Sequence, residues 1–162
     1  MLCKLELIVK LRLVAPSNNN QRITMSRFKS LAHSIWYCHY HIVWVPKYRF
    51  RILNGEIKKE VERMVKMISD QLGCTVEELN VQDDHVHLLV MIPPKLSVSK
   101  YVGMVKGKIA IRIFSKFQDL KVKPYWGNHF WVRVYCADTI GLNLDKIRKY
   151  VKYQKKKEIE LG

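Results

Sequence analysis

The chain has 162 residues, 29 Lys and Arg against 14 Asp and Glu for a net charge of +15, and 48% hydrophobic residues with only 7 Gly and 5 Pro. That length and apolar content suit one domain with a real core and exclude a disordered or collagen-like chain. A folded chain so basic points to a polyanionic partner, and the lack of any run of about 18 uncharged apolar residues turns that choice from membrane towards nucleic acid.

At the N-terminus, Lys4, Glu6, Lys10 and Arg12 interrupt the apolar residues, so no signal peptide is expected there. Leu5, Leu7, Val9, Leu11 and Leu13 alternate at a strand period and give way to the polar stretch Pro16 to Gln21. Residues 1–24 either add a strand to the domain or, as expected here, form an N-terminal extension of a domain spanning 25–162. Cys3, Cys38, Cys74 and Cys136 lie too far apart for a zinc ribbon. With no secretory signal they read as reduced thiols of a cytoplasmic protein.

The aromatic and β-branched run Trp36 to Val45, stopped by Pro46, predicts a strand. Ile57, Val61, Met64, Val65, Ile68 and Leu72 recur at helical spacing after Asn54-Gly55, and Gly73 supplies a stop, predicting an amphipathic helix. Residues 74–82 and 85–92 predict two short strands joined tightly through Asp83-Asp84. A second helix starts near Ser97 with Val98, Tyr101, Val102, Val105, Ile109, Ile113 and Phe117 inward. Phe130 to Cys136 predicts a fourth strand. A last helix runs from about Leu144, with Leu144, Ile147 and Val151 inward and a strongly basic remainder. The order βαββαβ is that of an α+β, ferredoxin-like (RRM-like) antiparallel sheet with helices on one face, here followed by a C-terminal helix carrying tyrosines.

Two local patterns carry chemistry. In Asp84-His85-Val86-His87-Leu88-Leu89-Val90, the side chains of His85 and His87 share one face of a strand at about 7 Å between Cα atoms, while Val86, Leu88 and Val90 face the other. Two such imidazoles either share a metal ion or are polar residues on a sheet face. On the last helix Tyr150 and Gln154 are four apart, one turn above each other.

Taken together the segments YHIVWVPKYR (40–49), DHVHLLVMIPPKLSVSKYVGMVKGK (84–108), WGNHFWVRVY (126–135) and YVKYQ (150–154) resemble the IS200/IS605-type transposases with a single catalytic tyrosine, and His85-Val86-His87 resembles their HUH motif. The resemblance implies a DNA transposase that cleaves and rejoins single-stranded DNA at hairpin-marked transposon ends through a 5′-phosphotyrosine. It makes Tyr150 the nucleophile and His85, His87 and Gln154 ligands of a divalent metal, Mg²⁺ or Mn²⁺. It also implies a homodimer, since excision needs two cleavages and each chain has one such tyrosine. Tyr153 is a rival nucleophile that does not match the Tyr-x-x-x-Gln register. Lys47, Arg49, Lys106, Lys108, Arg112, Arg133, Lys149 and Lys152 are candidate contacts to the DNA backbone. Trp126, His129, Phe130 and Trp131 either stack on unpaired bases or pack in the core. Val134 stands where the family usually has Gly, and Cys136 where an aromatic residue is common.

Two other readings stay open at this stage. One is a domesticated family member that cuts hairpin DNA for its host. The other is a non-catalytic ferredoxin-like nucleic-acid-binding module, although the paired aromatic signature of RNA-recognition motifs is missing.

Overall fold

The computed structural model describes residues 29–31, 34–122 and 129–140. The chain divides into two compact units, residues 1–37 and 38–162. In the first, β1 (Lys29–Leu31) and β2 (Ser34–Trp36) form an antiparallel pair with Lys29 opposite Trp36.

The second unit holds β3 (His39–Trp44), a single 3₁₀ turn (Lys47–Arg49), α1 (Gly55–Gln71), β4 (Thr75–Val81), β5 (Val86–Met91), α2 (Val98–Lys116), the short α3 (Gln118–Val122) and β6 (Cys136–Ile140). Its four-stranded sheet has the order β4-β5-β3-β6, every neighbour antiparallel. The strands adjacent in the sheet are thus not all adjacent in the chain, and the arrangement is the ferredoxin-like α+β fold expected from the element order. The anticipated helix from Leu144 and the extension 1–24 lie outside the described residues.

Period-two alternation decides what each strand buries. Ile42 and Trp44 of β3, and Val86, Leu88 and Val90 of β5, point into one core with Val61, Met64, Val65 and Ile68 of α1 and Tyr101, Val102, Val105, Ile109 and Ile113 of α2. Local signals mark the start of α2 and the end of α1. The Ser97 hydroxyl accepts from the Lys100 amide and caps α2. Gly73 follows α1 at φ +68, a left-handed conformation that favours glycine. Ser69 donates to the Val65 carbonyl and meets the Tyr101 hydroxyl at 2.7 Å, joining the helices inside the core. Among the described residues no helix is long and apolar enough to cross a membrane.

The fourth strand differs from expectation: it runs from Cys136 to Ile140, not from Phe130 to Cys136. Phe130 and Trp131 are core residues, with Trp131 edge-on to Trp44 and Phe130 edge-on to Phe114. The segment pairs with the stretch after β3 through an isolated bridge between Pro46 and Trp131, where the Lys47 amide donates to the Phe130 carbonyl and the Val132 amide to the Val45 carbonyl.

On the outer side of the helices, Glu60 joins α1 to α2. Its carboxylate, with 6% of the side chain exposed, accepts from Arg63, from Arg112 at 2.9 Å and from Lys116 at 3.3 Å. The hydrogen bonds from Arg63 and Arg112 outweigh burial and hold its pKa down at about 2, against an ordinary 4.5. Because the folded value lies below the unfolded one, this stabilisation is present above pH 4.5 and is lost as pH falls towards 2. Glu60→Gln should cost about 1–3 kcal/mol at neutral pH. In urea denaturation the gap from the parent protein should close between pH 4.5 and 2; a gap independent of pH would remove the carboxylate from the account.

Candidate metal centre and nucleic-acid interface

The face of the sheet opposite the α1–α2 core carries a row of histidines. Antiparallel register sets Val43 of β3 opposite His87 of β5 and His41 opposite Leu89, so His41 lies diagonally beside His87 on the same face. The His41 Nε2 and His87 Nδ1 atoms are 3.0 Å apart. His85 stands just before β5, its ring 4.8 Å from that of His87 and nearly perpendicular to it. His39, also on β3, is buried and 3.6 Å from the Glu77 carboxylate.

His87 is 8% exposed. Burial first, then the neighbouring His85 and His41, bring its pKa down to about 4, so it is a neutral imidazole at neutral pH. Burial also lowers His41, against the pull of the Asp138 carboxylate. The Nδ1 atom of His85 meets Asp84 Oδ1, and the other oxygen of Asp84 accepts from Arg49 at 2.8 Å. Burial by itself would raise the Asp84 carboxyl, but the hydrogen bonds from His85 and Arg49 outweigh it and hold the group below the ordinary carboxylate value. A carboxylate on Nδ1 fixes the ring and leaves Nε2 as the atom free to coordinate, the usual outer-sphere pattern of metal-binding histidines. Among the described residues no group of three or more His, Cys, Asp or Glu side chains is arranged to hold a metal ion. Gln154 and Tyr150, with Lys149 and Lys152, lie outside the described residues, as does Trp126.

Several basic residues expected to grip phosphate have partners within the protein. Arg112 is bound to Glu60 and Arg49 to Asp84. The buried Lys106 ammonium donates to the carbonyls of Val132, Arg133 and Val134 at 2.7, 3.1 and 3.4 Å, which uses all three of its N–H groups. Lys108 is exposed and reaches Gln71 at 3.4 Å, Lys47 lies 5.0 Å over the Tyr48 ring, and Arg133 is exposed. Of the aromatic candidates, Phe130 and Trp131 are packed inside while His129 is exposed. Val134 is 72% exposed and its φ lies outside the left-handed region, so a non-glycine side chain is accommodated there.

The residue that sequence reasoning overlooked is His41. Its signal was present, since His39-Tyr40-His41 repeats the His-x-His spacing of His85-Val86-His87 on a strand that the ferredoxin-like order pairs with β5.

The sequence pattern of the IS200-like transposases matches residues 34–154, covering this sheet, both helices and the Tyr150 to Gln154 stretch. The chain belongs to that family. The transposase is 42% identical over 126 residues to the transposase of insertion sequence IS200 from Salmonella typhimurium, covering 78% of this chain and 82% of that one. It is 34% identical to the ISDra2 transposase TnpA of Deinococcus radiodurans, covering 76% and 89%. A crystal structure of a candidate transposase from the same organism superposes at a TM-score of 0.66 with 31% identity, covering 78% of this chain and 97% of that one. A REP-associated tyrosine transposase bound to a REP hairpin shares the fold, at a TM-score of 0.56 and 12% identity over 83% of this chain and 74% of that one.

The internal role of Lys106 in the transposase is open to direct measurement. Lys106→Met keeps the aliphatic stem but strands three carbonyls, and should cost about 1–3 kcal/mol in urea denaturation. Lys108→Met, on the exposed side of α2, should stay within about 0.5 kcal/mol. Equal losses at the two positions would deny Lys106 its role as a strut.

Proposed function

We propose that this transposase cleaves and rejoins single-stranded DNA at hairpin-marked transposon ends, with Tyr150 as nucleophile and a divalent metal held by His85, His87 and Gln154. The observation that carries the reading is the pair of imidazoles His85 and His87, 4.8 Å apart on the sheet face away from the core, one of them locked by a carboxylate and the other kept neutral by burial. Neutral nitrogens with an amide oxygen suit Mn²⁺ or Mg²⁺ and leave further positions for substrate. When bound, the metal would polarise a non-bridging phosphate oxygen and orient the scissile phosphate.

The remaining chemistry belongs to the chain. The Tyr150 phenol loses its proton and its oxygen attacks phosphorus in line, the bond from phosphorus to the 3′ oxygen breaks, and that oxygen takes a proton and leaves as a 3′-OH. A phenol of pKa about 10 needs positive charge nearby to ionise at neutral pH, and Lys149 and Lys152 flank it in sequence. The phosphotyrosine keeps the phosphodiester bond energy, so the 3′-OH of a second strand can attack it and rejoin the DNA. Two cleavages per excision and one such tyrosine per chain fit a homodimer. The +15 charge favours the DNA partner and should make binding steeply salt-dependent.

The test is a covalent adduct. Full-length protein incubated with single-stranded DNA carrying a hairpin end and Mn²⁺ or Mg²⁺ should yield a denaturation-resistant protein–DNA species. Tyr150→Phe should abolish it while retaining binding, Tyr153→Phe should keep it, and a chelator should prevent it. Persistence of the adduct in Tyr150→Phe would overturn the assignment.

A further inference from the structure

The His41–His87 contact has a consequence for which nitrogen of His87 can face a metal. The two rings are parallel within 3° with centroids 5.2 Å apart, yet their nearest nitrogens are 3.0 Å apart. Parallel rings that meet nitrogen to nitrogen at this centroid separation lie edge to edge, close to one plane. The imidazole N–H and lone pair both lie in the ring plane, so this is an in-plane hydrogen bond between two neutral rings.

One proton sits between them, and its placement fixes everything else. If His41 Nε2 carried it, His87 Nδ1 would be the acceptor, the proton of His87 would be on Nε2, and neither nitrogen of His87 could coordinate. If His87 Nδ1 carries it, His41 Nε2 accepts, the proton of His41 is on its own Nδ1, and His87 Nε2 is left with a free lone pair.

We propose that His41 is a positioning residue that accepts a hydrogen bond from His87 Nδ1–H and so holds His87 in the tautomer whose Nε2 coordinates the metal, as Asp84 does for His85. The inference rests on the metal reading above. It makes the centre a matched pair: each ligand ring has its Nδ1 occupied, one by a carboxylate from the adjoining turn and one by a histidine from the adjacent strand. A merely packed His41 would have no preference for either tautomer of its neighbour.

The test uses the full chain with histidines labelled with ¹⁵N. In metal-free protein, long-range ¹H–¹⁵N correlation spectra should show His87 protonated at Nδ1. His41→Phe should move that proton to Nε2 or leave a mixture, and in calorimetric titration with Mn²⁺ it should weaken binding about 10- to 100-fold, the usual effect of losing an outer-sphere partner. His41→Gln, whose amide oxygen can reach the position of Nε2, should restore both the tautomer and most of the affinity. That recovery excludes a folding defect as the cause, and urea denaturation of both variants checks it independently. A metal-free His87 protonated at Nε2, or a His41→Phe variant with unchanged tautomer and unchanged Mn²⁺ affinity, would overturn the proposal. Unchanged Mn²⁺ affinity in His87→Ala would instead overturn the metal reading itself, and the spectra of the metal-free protein keep the two failures apart.

Discussion

The pairing of β3 with β5 is the constraint on which the rest of this structure depends. These two central strands set Ile42 and Trp44 beside Val86, Leu88 and Val90 on the face covered by α1 and α2. The same alternation sends His41 and His87 to the opposite face. Because strand side chains alternate strictly, a slip of one residue in either strand would move its whole apolar set out of the core. Each such side chain contributes about 1.5–3 kcal/mol by burial, so the register is enforced many times over. The histidine pair inherits its geometry from that enforcement: the core fixes from behind the two strands that carry the rings.

The basic residues divide into two populations once their partners are known. Arg112, with Arg63 and Lys116, satisfies a buried carboxylate, Lys106 satisfies three carbonyls of an irregular segment, and Arg49 anchors Asp84. A buried carboxylate without partners would cost several kcal/mol, so the cations around Glu60 serve the fold whatever the ligand, and Lys106 serves it through the carbonyls it holds. Net charge counts them equally with exposed lysines and arginines. Lys108 and Arg133 stay at the surface, a distinction that the total of +15 does not draw.

Legibility in the sequence follows how local each cause is. The two long helices and the strands β4 and β5 were readable within a residue or two because apolar periodicity, Ser97 and Gly73 act locally. Phe130 to Cys136 has the composition of a strand, yet its first residues are drawn into the core by Trp44 and Phe114 and its carbonyls are taken by Lys106, a residue on α2. With those groups already satisfied, the ladder to β3 starts only at Cys136. No local propensity encodes a partner 26 to 28 residues away. The same holds for the site. The pairing of His85 with His87 follows from their i, i+2 spacing at the start of β5 and was legible, whereas His41 joins them only through register between strands.

The turn after β3 shows how the fold brings the carboxylate of Asp84 to the site. Tyr48 and Arg49 both have left-handed backbone conformations, at φ 58 and φ 52, which non-glycine residues adopt at a cost of about 1–3 kcal/mol each. Three links offset that cost: the Lys47 amide to the Phe130 carbonyl, the Leu53 amide to the Asp83 carbonyl, and the Arg49 guanidinium to Asp84. Two of the three end on the Asp83-Asp84 turn, immediately before His85. A relaxed backbone at positions 48 and 49 would redirect Arg49 and release the carboxylate that holds Nδ1 of His85. Tyr48 stays 64% exposed, so burial of its own side chain does little to offset the strain. What the strained turn secures is the orientation of the first histidine, just as the strand register secures that of the second.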